Sequence, residues 1–167
     1  MHGSNVERGK NRINAADKGS VQNVYAKYFD EYAVGESWSS YGRTITEAHI
    51  VNFAGLSGDW FPLHTDAVYA EQTSFRQRIA HGMLVLSVAT GLLVLHPDVV
   101  VAFYGMDKVR FIHPTMIGDT IHLEMTVQDL LDKQNGTGVV TSSLHVVNKT
   151  GHPVIISTVK MLLKKRD

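Results

Sequence analysis

An aspartate and a histidine stand five residues apart in a segment that cannot form continuous regular structure. Asp59 follows Gly58, and His64 follows Pro62 and Leu63, so a glycine and a proline interrupt any helix or strand there. A bent backbone of this kind can bring a carboxylate and an imidazole into one small volume. Such a pair could act as acid and base, exchanging protons between a water molecule and a carbon atom.

A second segment, Ala80-His81-Gly82-Met83, could supply hydrogen-bond donors to the same chemistry. It opens a long apolar stretch, and the start of a helix leaves backbone N–H groups free beside the positive end of the helix dipole. Gly82 is the best single candidate, because a residue without a side chain lets a ligand carbonyl approach the backbone closely. An acid, a base and an oxyanion donor are what the addition of water to an enone-like double bond requires.

Other polar residues admit simpler interpretations. Ser57 lacks the G-x-S-x-G context of a nucleophilic serine, and turn chemistry alone would explain Gly58 and Pro62. His81 could contact a substrate or only cap a helix. The remaining candidate histidines lack the mutual spacing of metal ligands, so we predict no bound metal and assign them to strands, turns or the surface: His96, His113, His122, His145 and His152.

The composition excludes several classes of function. Basic and acidic residues both number 16, so the net charge of zero provides no general attraction to nucleic acid or to an anionic membrane. The apolar stretch from Met83 to Leu95 is shorter than the roughly 20 residues of a membrane span. There is no cysteine, and the first 24 residues lack the apolar run of a secretory signal, so we expect a cytoplasmic protein. An anionic ligand would need local cations, for which the candidates are Arg76, Arg78, Lys108 and Arg110.

The elements that must position these groups can be predicted from periodicity. Three helices are expected: one capped by Thr44 and Glu47 and ending near Gly58, one from Asp66 to about Thr73, and a buried one from Ala80 to Leu95, about 24 Å long. Two short extended pieces around Gly35 should precede them. Four strands are expected at 99–110, 121–128, 139–147 and 154–163, separated by turn sequences and mainly antiparallel.

These elements predict an α+β fold in which an antiparallel sheet wraps around a long central apolar helix, which is the hot-dog fold. With 167 residues, one domain is the default expectation. We assign that domain to residues 25–167 and interpret residues 1–24 as a flexible N-terminal tail.

The run from Phe53 to His64, with Gly58-Asp59 followed by Pro62-Leu63-His64, closely resembles the signature of MaoC-like dehydratases and R-specific enoyl-CoA hydratases. Ala80-His81-Gly82-Met83 is similar to the motif at the helix start in that family. Both motifs occur in the family's order, and the similarity extends over roughly residues 29–163. One departure is Phe61, which stands where the family often has an asparagine that orders the active-site hydrogen bonds.

The resemblance implies that Asp59 and His64 position one water and exchange protons while the Gly82 N–H polarises a thioester carbonyl. The product would be an (R)-3-hydroxyacyl-CoA formed by syn addition to a trans-2-enoyl-CoA, or the reverse, with coenzyme A as part of the substrate and no separate cofactor. We assign substrate contacts to the neighbours of these residues in the two motifs: Ser57, Gly58, Phe61, Pro62, His81 and Met83.

Two other functions remain open. A hot-dog thioesterase would use its carboxylate to direct water at the carbonyl carbon, and a noncatalytic acyl-thioester-binding subunit could keep the fold without turnover; the departure at Phe61 keeps this last alternative open. Because a lone hot-dog sheet leaves an edge exposed, we expect at least a homodimer, with the substrate near the subunit boundary.

Overall fold

A six-stranded antiparallel sheet forms the largest part of the structure, a computed structural model that describes residues 25–166. The predicted tail, residues 1–24, lies outside the described residues. The strand order is β1-β4-β5-β6-β3, with β2 also paired to β4. The strands are β1 (Ser37–Ser39), β2 (Arg43–Thr44), β3 (Val100–Phe111), β4 (Thr120–Asp132), β5 (Thr137–Asn148) and β6 (Pro153–Lys164).

The four long strands confirm the prediction from alternating hydrophobicity. In β4 the side chains of Ile121, Leu123, Met125 and Val127 are all at most 2% exposed, while their neighbours point to the other face. Strands β4, β5 and β6 follow one another through short turns. Strand β3 pairs with β6 instead of β4, so the segment from β3 to β4 crosses the sheet from one edge towards the other.

The central helix is shorter than predicted. Helix α4 covers Gly82–Thr90, nine residues and about 14 Å, and packs the side chains of Leu84, Val85 and Ala89 into the core. The predicted extension to Leu95 is wrong because the chain turns at Gly91, a poor helix former, and then runs alongside Tyr25. The Tyr25 N–H donates to the Val94 carbonyl and the His96 N–H donates to the Tyr25 carbonyl.

The helices before α4 are close to the prediction. Helix α1 is Glu47–Ser57 and ends at Gly58 with a left-handed φ of 77°. Its cap was predicted wrongly: the chain enters the helix at Thr46, whose N–H donates to the imidazole of His49, while Thr44 lies in β2. Helix α2 is Pro62–Thr65 and α3 is Ala67–Glu71, and α3 begins at Asp66 as expected, with its carboxylate accepting two backbone N–H groups.

The segment before β1 is only partly extended. A short 3₁₀ turn, Phe29–Glu31, occupies the position of the first predicted extended piece, and β1 is the second. The ring of Phe29 lies directly against Gly138 of β5 and occupies the space that a Cβ at this position would need. The segment is therefore packed against the sheet by contacts that local propensity does not indicate.

The sheet wraps around α4, and the side chains of α4 share one core with the inward faces of β4, β5 and β6. This arrangement confirms the predicted α+β hot-dog fold. Among the described residues, none of the helices has the length and apolar character needed to span a membrane.

Candidate active site

The loop between α1 and α2 holds the predicted carboxylate by its own backbone. The Asp59 N–H donates to Ser57 Oγ at 3.2 Å, and Asp59 Oδ1 accepts the Phe61 N–H at 3.2 Å. Gly58 can take its positive φ at little cost because it has no side chain. Pro62 then opens α2, where a residue with no N–H is well tolerated. The loop thus turns sharply enough to bring His64 back towards Asp59.

One ring nitrogen of His64 is fixed by a backbone carbonyl. His64 Nδ1 lies 2.8 Å from the Ile79 oxygen, and a carbonyl can only accept, so Nδ1 carries the hydrogen in this bond. In the neutral ring the lone pair is then on Nε2. His64 is therefore oriented as a base that can accept a proton at Nε2.

His81 directly precedes α4, packs against the ring of His64 and is only 2% exposed. The centres of the two imidazole rings are 4.0 Å apart, and His81 Nε2 is 3.0 Å from the backbone oxygen of Asp59. Burial lowers the pKa of His81, an effect that exceeds the opposing influence of its bond to the Asp59 backbone.

Asp59, His64 and His81 form a cluster in which one potential ligand atom from each lies within 4.8 Å of the others. A carboxylate and two imidazoles are a donor set that suits Zn²⁺ or another transition metal. The predicted absence of a bound metal therefore remains a prediction, and within residues 25–166 this cluster is a candidate site for a metal ion.

Gly82 is the first residue of α4, and its N–H has no acceptor within residues 25–166. The aromatic ring of Phe111 lies directly over this glycine: a Cβ built on Gly82 would come 2.7 Å from Cδ1 of that ring. The packing of Phe111, at the end of β3, therefore favours a residue without a side chain at this position.

A cavity of about 420 Å³ joins these groups. Its walls are mainly apolar, and no lysine or arginine of the described chain is among its lining residues. The lining comprises Asp59, His64, Phe75, Ile79, Ala80, His81, Gly82, Met83, Val85, Phe111, Ile112, His113, Pro114, Thr115, Val154 and Ile155.

Residues 31–149 match the family model described as MaoC like domain. The chain belongs to the MaoC-like domain family. Over 105 residues it is 46% identical to Protein MaoC of Klebsiella aerogenes, a match that covers 61% of this chain but only 31% of that protein. Over 115 residues it is 36% identical to an (R)-specific enoyl-CoA hydratase of Rhodospirillum rubrum, covering 69% of this chain and 79% of the relative.

A solved structure resembles this MaoC-like domain over most of its length. The protein is titled monoamine oxidase regulatory protein, from Archaeoglobus fulgidus. It is 39% identical, superposes with a TM-score of 0.79, and the match covers 84% of this chain and 96% of that one. The resemblance to MaoC-like proteins that the two sequence motifs indicate is thus confirmed at the level of the family.

The residues predicted to be functional divide into two groups in this MaoC-like domain. Asp59, His64, Gly82, His81 and Met83 all line the cavity. The other predicted substrate contacts do not line it and instead build the loop around Asp59: Ser57, Gly58, Phe61 and Pro62. Of these, Phe61 is 51% exposed, and the centre of its ring lies 6.0 Å from that of His64.

None of the four candidate cations lines the cavity. Arg78 donates two hydrogen bonds to the carboxylate of Glu47, at 2.8 and 2.7 Å, so it holds the start of α1. Arg76, Lys108 and Arg110 are exposed, and the first two have positive φ angles of 61° and 52°. Any contact between these residues and phosphate groups would lie outside the cavity itself.

One wall of the cavity was missed by sequence analysis. Residues 111–115, together with Val154 and Ile155, come from the end of β3, the following loop and the start of β6. Phe111 and Ile155 are direct partners in the β3–β6 pairing, which explains why both reach the same wall. His113, predicted to be a strand, turn or surface residue, is an exposed loop residue that also lines the cavity.

Proposed function

We propose that this MaoC-like domain is an acyl-CoA hydratase, which adds water reversibly to a trans-2-enoyl-CoA to give an (R)-3-hydroxyacyl-CoA. The observation that carries the proposal is that Asp59, His64 and the Gly82 amide line one cavity. The relative from Rhodospirillum rubrum, named an (R)-specific enoyl-CoA hydratase, supports the same activity. Asp59 and His64 are assigned the proton transfers, and Gly82 is assigned the oxyanion.

In the proposed reaction one water binds between the Asp59 carboxylate and His64 Nε2. As the water oxygen forms a bond to the β-carbon, the pair accepts a proton and the electrons of the double bond move to the thioester oxygen. The Gly82 N–H and the N-terminus of α4 stabilise this developing negative charge. The α-carbon then takes a proton from the pair, which returns to its starting state.

The same pair of side chains handles the water and the proton, so both reach the same face of the substrate and the addition is syn. Because each proton is carried by Asp59 and His64, the scheme calls for no metal or redox cofactor. Coenzyme A takes part only as the thiol portion of the substrate.

The cavity walls favour an apolar acyl group. Beyond the acid–base groups, much of the wall is aliphatic or aromatic, including Val85, Phe111 and Ile155. An acyl chain ending in a carboxylate would be buried there without a lysine or arginine from the described chain, which is energetically costly. We therefore propose simple hydrocarbon enoyl-CoA esters as substrates in preference to dicarboxylic ones.

We also propose that two copies associate through β3. In the described structure this 12-residue strand pairs only with β6, and Val101, Phe103 and Tyr104 are each more than 40% exposed. An apolar edge of this length is a site for strand pairing with another chain. The end of β3 contributes Phe111 to the cavity wall, so a partner there would lie close to the site and would help to exclude water.

Hydration of crotonyl-CoA, followed by the loss of enone absorbance, tests the proposed activity. We expect Asp59→Asn and His64→Gln each to lower kcat by at least about 100-fold, the usual size of an acid–base contribution. Asp129→Asn, which changes an exposed aspartate on β4, is the matched control and should keep the wild-type rate. Chiral analysis of the product should give the R enantiomer.

Either of two results would contradict the proposed hydratase activity and favour another function. Release of free thiol from saturated acyl-CoA esters, dependent on Asp59, would indicate a thioesterase. Binding of coenzyme A esters without turnover of any enoyl-CoA, and with no effect of Asp59→Asn, would indicate a noncatalytic subunit.

A further inference from the structure

His81 touches both proposed acid–base residues. Its Nε2 bonds to the backbone carbonyl of Asp59, and its ring packs against the ring of His64 at 4.0 Å. A third contact comes from Phe53 of α1, whose ring centre lies 5.1 Å away. With 2% of its surface exposed, His81 has little freedom to adopt another orientation.

The hydrogen bonds of His81 determine its protonation state. The Asp59 carbonyl can only accept, so Nε2 must carry a hydrogen. Nδ1 is completely buried and has no hydrogen-bond partner within residues 25–166. A second proton on Nδ1 would therefore leave a buried, charged N–H group without an acceptor, which is far more costly than an unpaired lone pair. Burial and the neighbouring imidazole of His64 also lower the pKa of His81, and together they outweigh Asp59, whose carbonyl and carboxylate favour the cation.

We propose that His81 is a positioning residue, a neutral imidazole that fixes the Asp59 backbone through its Nε2–H and supports the ring of His64 through packing. This inference rests on the proposed function and extends it. Asp59 lies in the exposed loop after α1 and His64 lies in the short helix α2 that follows it, and His81 is the buried side chain that connects this segment to the start of α4. Loss of its N–H should let Asp59 move relative to the Gly82 amide without removing any reacting group.

Two substitutions separate the hydrogen bond from the packing. His81→Gln can place an amide N–H where Nε2 lies, whereas His81→Leu fills the space without a donor. We expect His81→Leu to lower kcat for crotonyl-CoA by about 100-fold, as a displacement of about 1 Å in a reacting group can do, with KM changed less than about threefold. His81→Gln should recover most of this loss. His145→Gln, an exposed histidine on β5, is the control and should leave both constants unchanged.

Nitrogen-15 NMR of the imidazole rings provides a readout that does not require turnover. At neutral pH the wild type should show His81 as the neutral Nε2–H tautomer and His64 as the Nδ1–H tautomer. In His81→Leu the His64 signals should change towards a tautomer mixture, and in His81→Gln they should change less.

Several results would overturn the inference: a cationic or Nδ1–H form of His81 in the wild type, wild-type kcat in His81→Leu, or equal loss in both variants with unaltered His64 signals. If His81→Leu does not fold, the wild-type tautomer and His81→Gln still decide the question. If the wild type hydrates no enoyl-CoA, the proposed function fails, while the NMR spectra still test the role of His81.

Discussion

Replacement of Gly82 by alanine tests whether the first residue of α4 must lack a side chain. Gly82 does not have a positive φ, and alanine is a better helix former than glycine, so the backbone itself should tolerate the change. The obstacle is Phe111: the new Cβ would lie 2.7, 2.8 and 3.1 Å from three carbons of its ring.

Ordinary carbon contacts are about 3.5–4.0 Å, so the ring must retreat by roughly 1 Å. Overpacking of this kind costs about 1–3 kcal/mol, and the lower end applies because Phe111 is half exposed and can swing outwards. About 1 kcal/mol corresponds to a fall in Tm of about 2–4 °C for a chain of this size. The methyl group would also obstruct the approach of a thioester oxygen to the amide, so we expect kcat/KM to fall by about 100-fold.

The assays are crotonyl-CoA hydration and thermal unfolding of Gly82→Ala, Phe111→Ala and the double variant. Removing the ring should restore the Tm of the double variant to that of Phe111→Ala alone. If the double variant also hydrates crotonyl-CoA faster than Gly82→Ala, the difference in rate is due to displacement of the Phe111 ring. The loss of rate that persists in the double variant relative to Phe111→Ala is due to obstruction of the Gly82 amide. A Gly82→Ala protein with wild-type kcat/KM would refute the assignment of this amide to the oxyanion.

Four further outcomes are expected. Since burial lowers the pKa of His81, the unfolded chain binds more protons at this residue than the folded chain does once the pH falls below the ordinary histidine pKa of about 6.5. The contribution of His81 to the free energy of unfolding should therefore be constant above that pH and decrease below it, by up to about 1.4 kcal/mol per pH unit. Urea titrations at several pH values should show this decrease in the wild type and lack it in His81→Gln. Chelation with EDTA should leave the hydration rate unchanged, whereas Zn²⁺ should inhibit competitively with the thioester, and calorimetry should find weaker zinc binding in Asp59→Asn. Arg78→Ala should lower Tm slightly but leave KM for crotonyl-CoA unchanged, because its partner is Glu47; a raised KM would instead indicate a phosphate contact. Phe103→Lys should convert a dimer into monomers in analytical ultracentrifugation, and a wild type that is already monomeric would remove the basis for pairing through β3.

The sheet and the acid–base loop could be predicted from the sequence because both are determined locally. Alternation along β4 identifies its buried face without knowledge of any other strand. In the same way, the interval from Gly58 to His64 contains its own turn residues, and the carboxylate is oriented by the Phe61 N–H two positions away. This contact uses the backbone N–H of Phe61, so it does not depend on which side chain stands at position 61.

The end of α4 and the far wall of the cavity could not be predicted because they depend on distant partners. Residues 92–95 are as apolar as those of a helix, but hydrogen bonds between Tyr25 and the Val94–His96 segment draw them away from the axis of α4. Phe111 reaches the cavity only through the pairing of β3 with β6, where it lies opposite Ile155. The pattern of apolar residues within one segment does not show which residue of a distant segment will lie opposite it.

The origin of the cavity residues has a consequence for how such a protein could diversify. The proposed proton carriers, Asp59 and His64, come from six consecutive positions, whereas Phe111 and Ile155 come from two strands far along the chain. Substitutions in those strands would reshape the proposed acyl site while leaving the proposed proton carriers unchanged. Reaction chemistry and substrate choice can then be inherited separately, so descendants of one ancestor could keep the first and exchange the second.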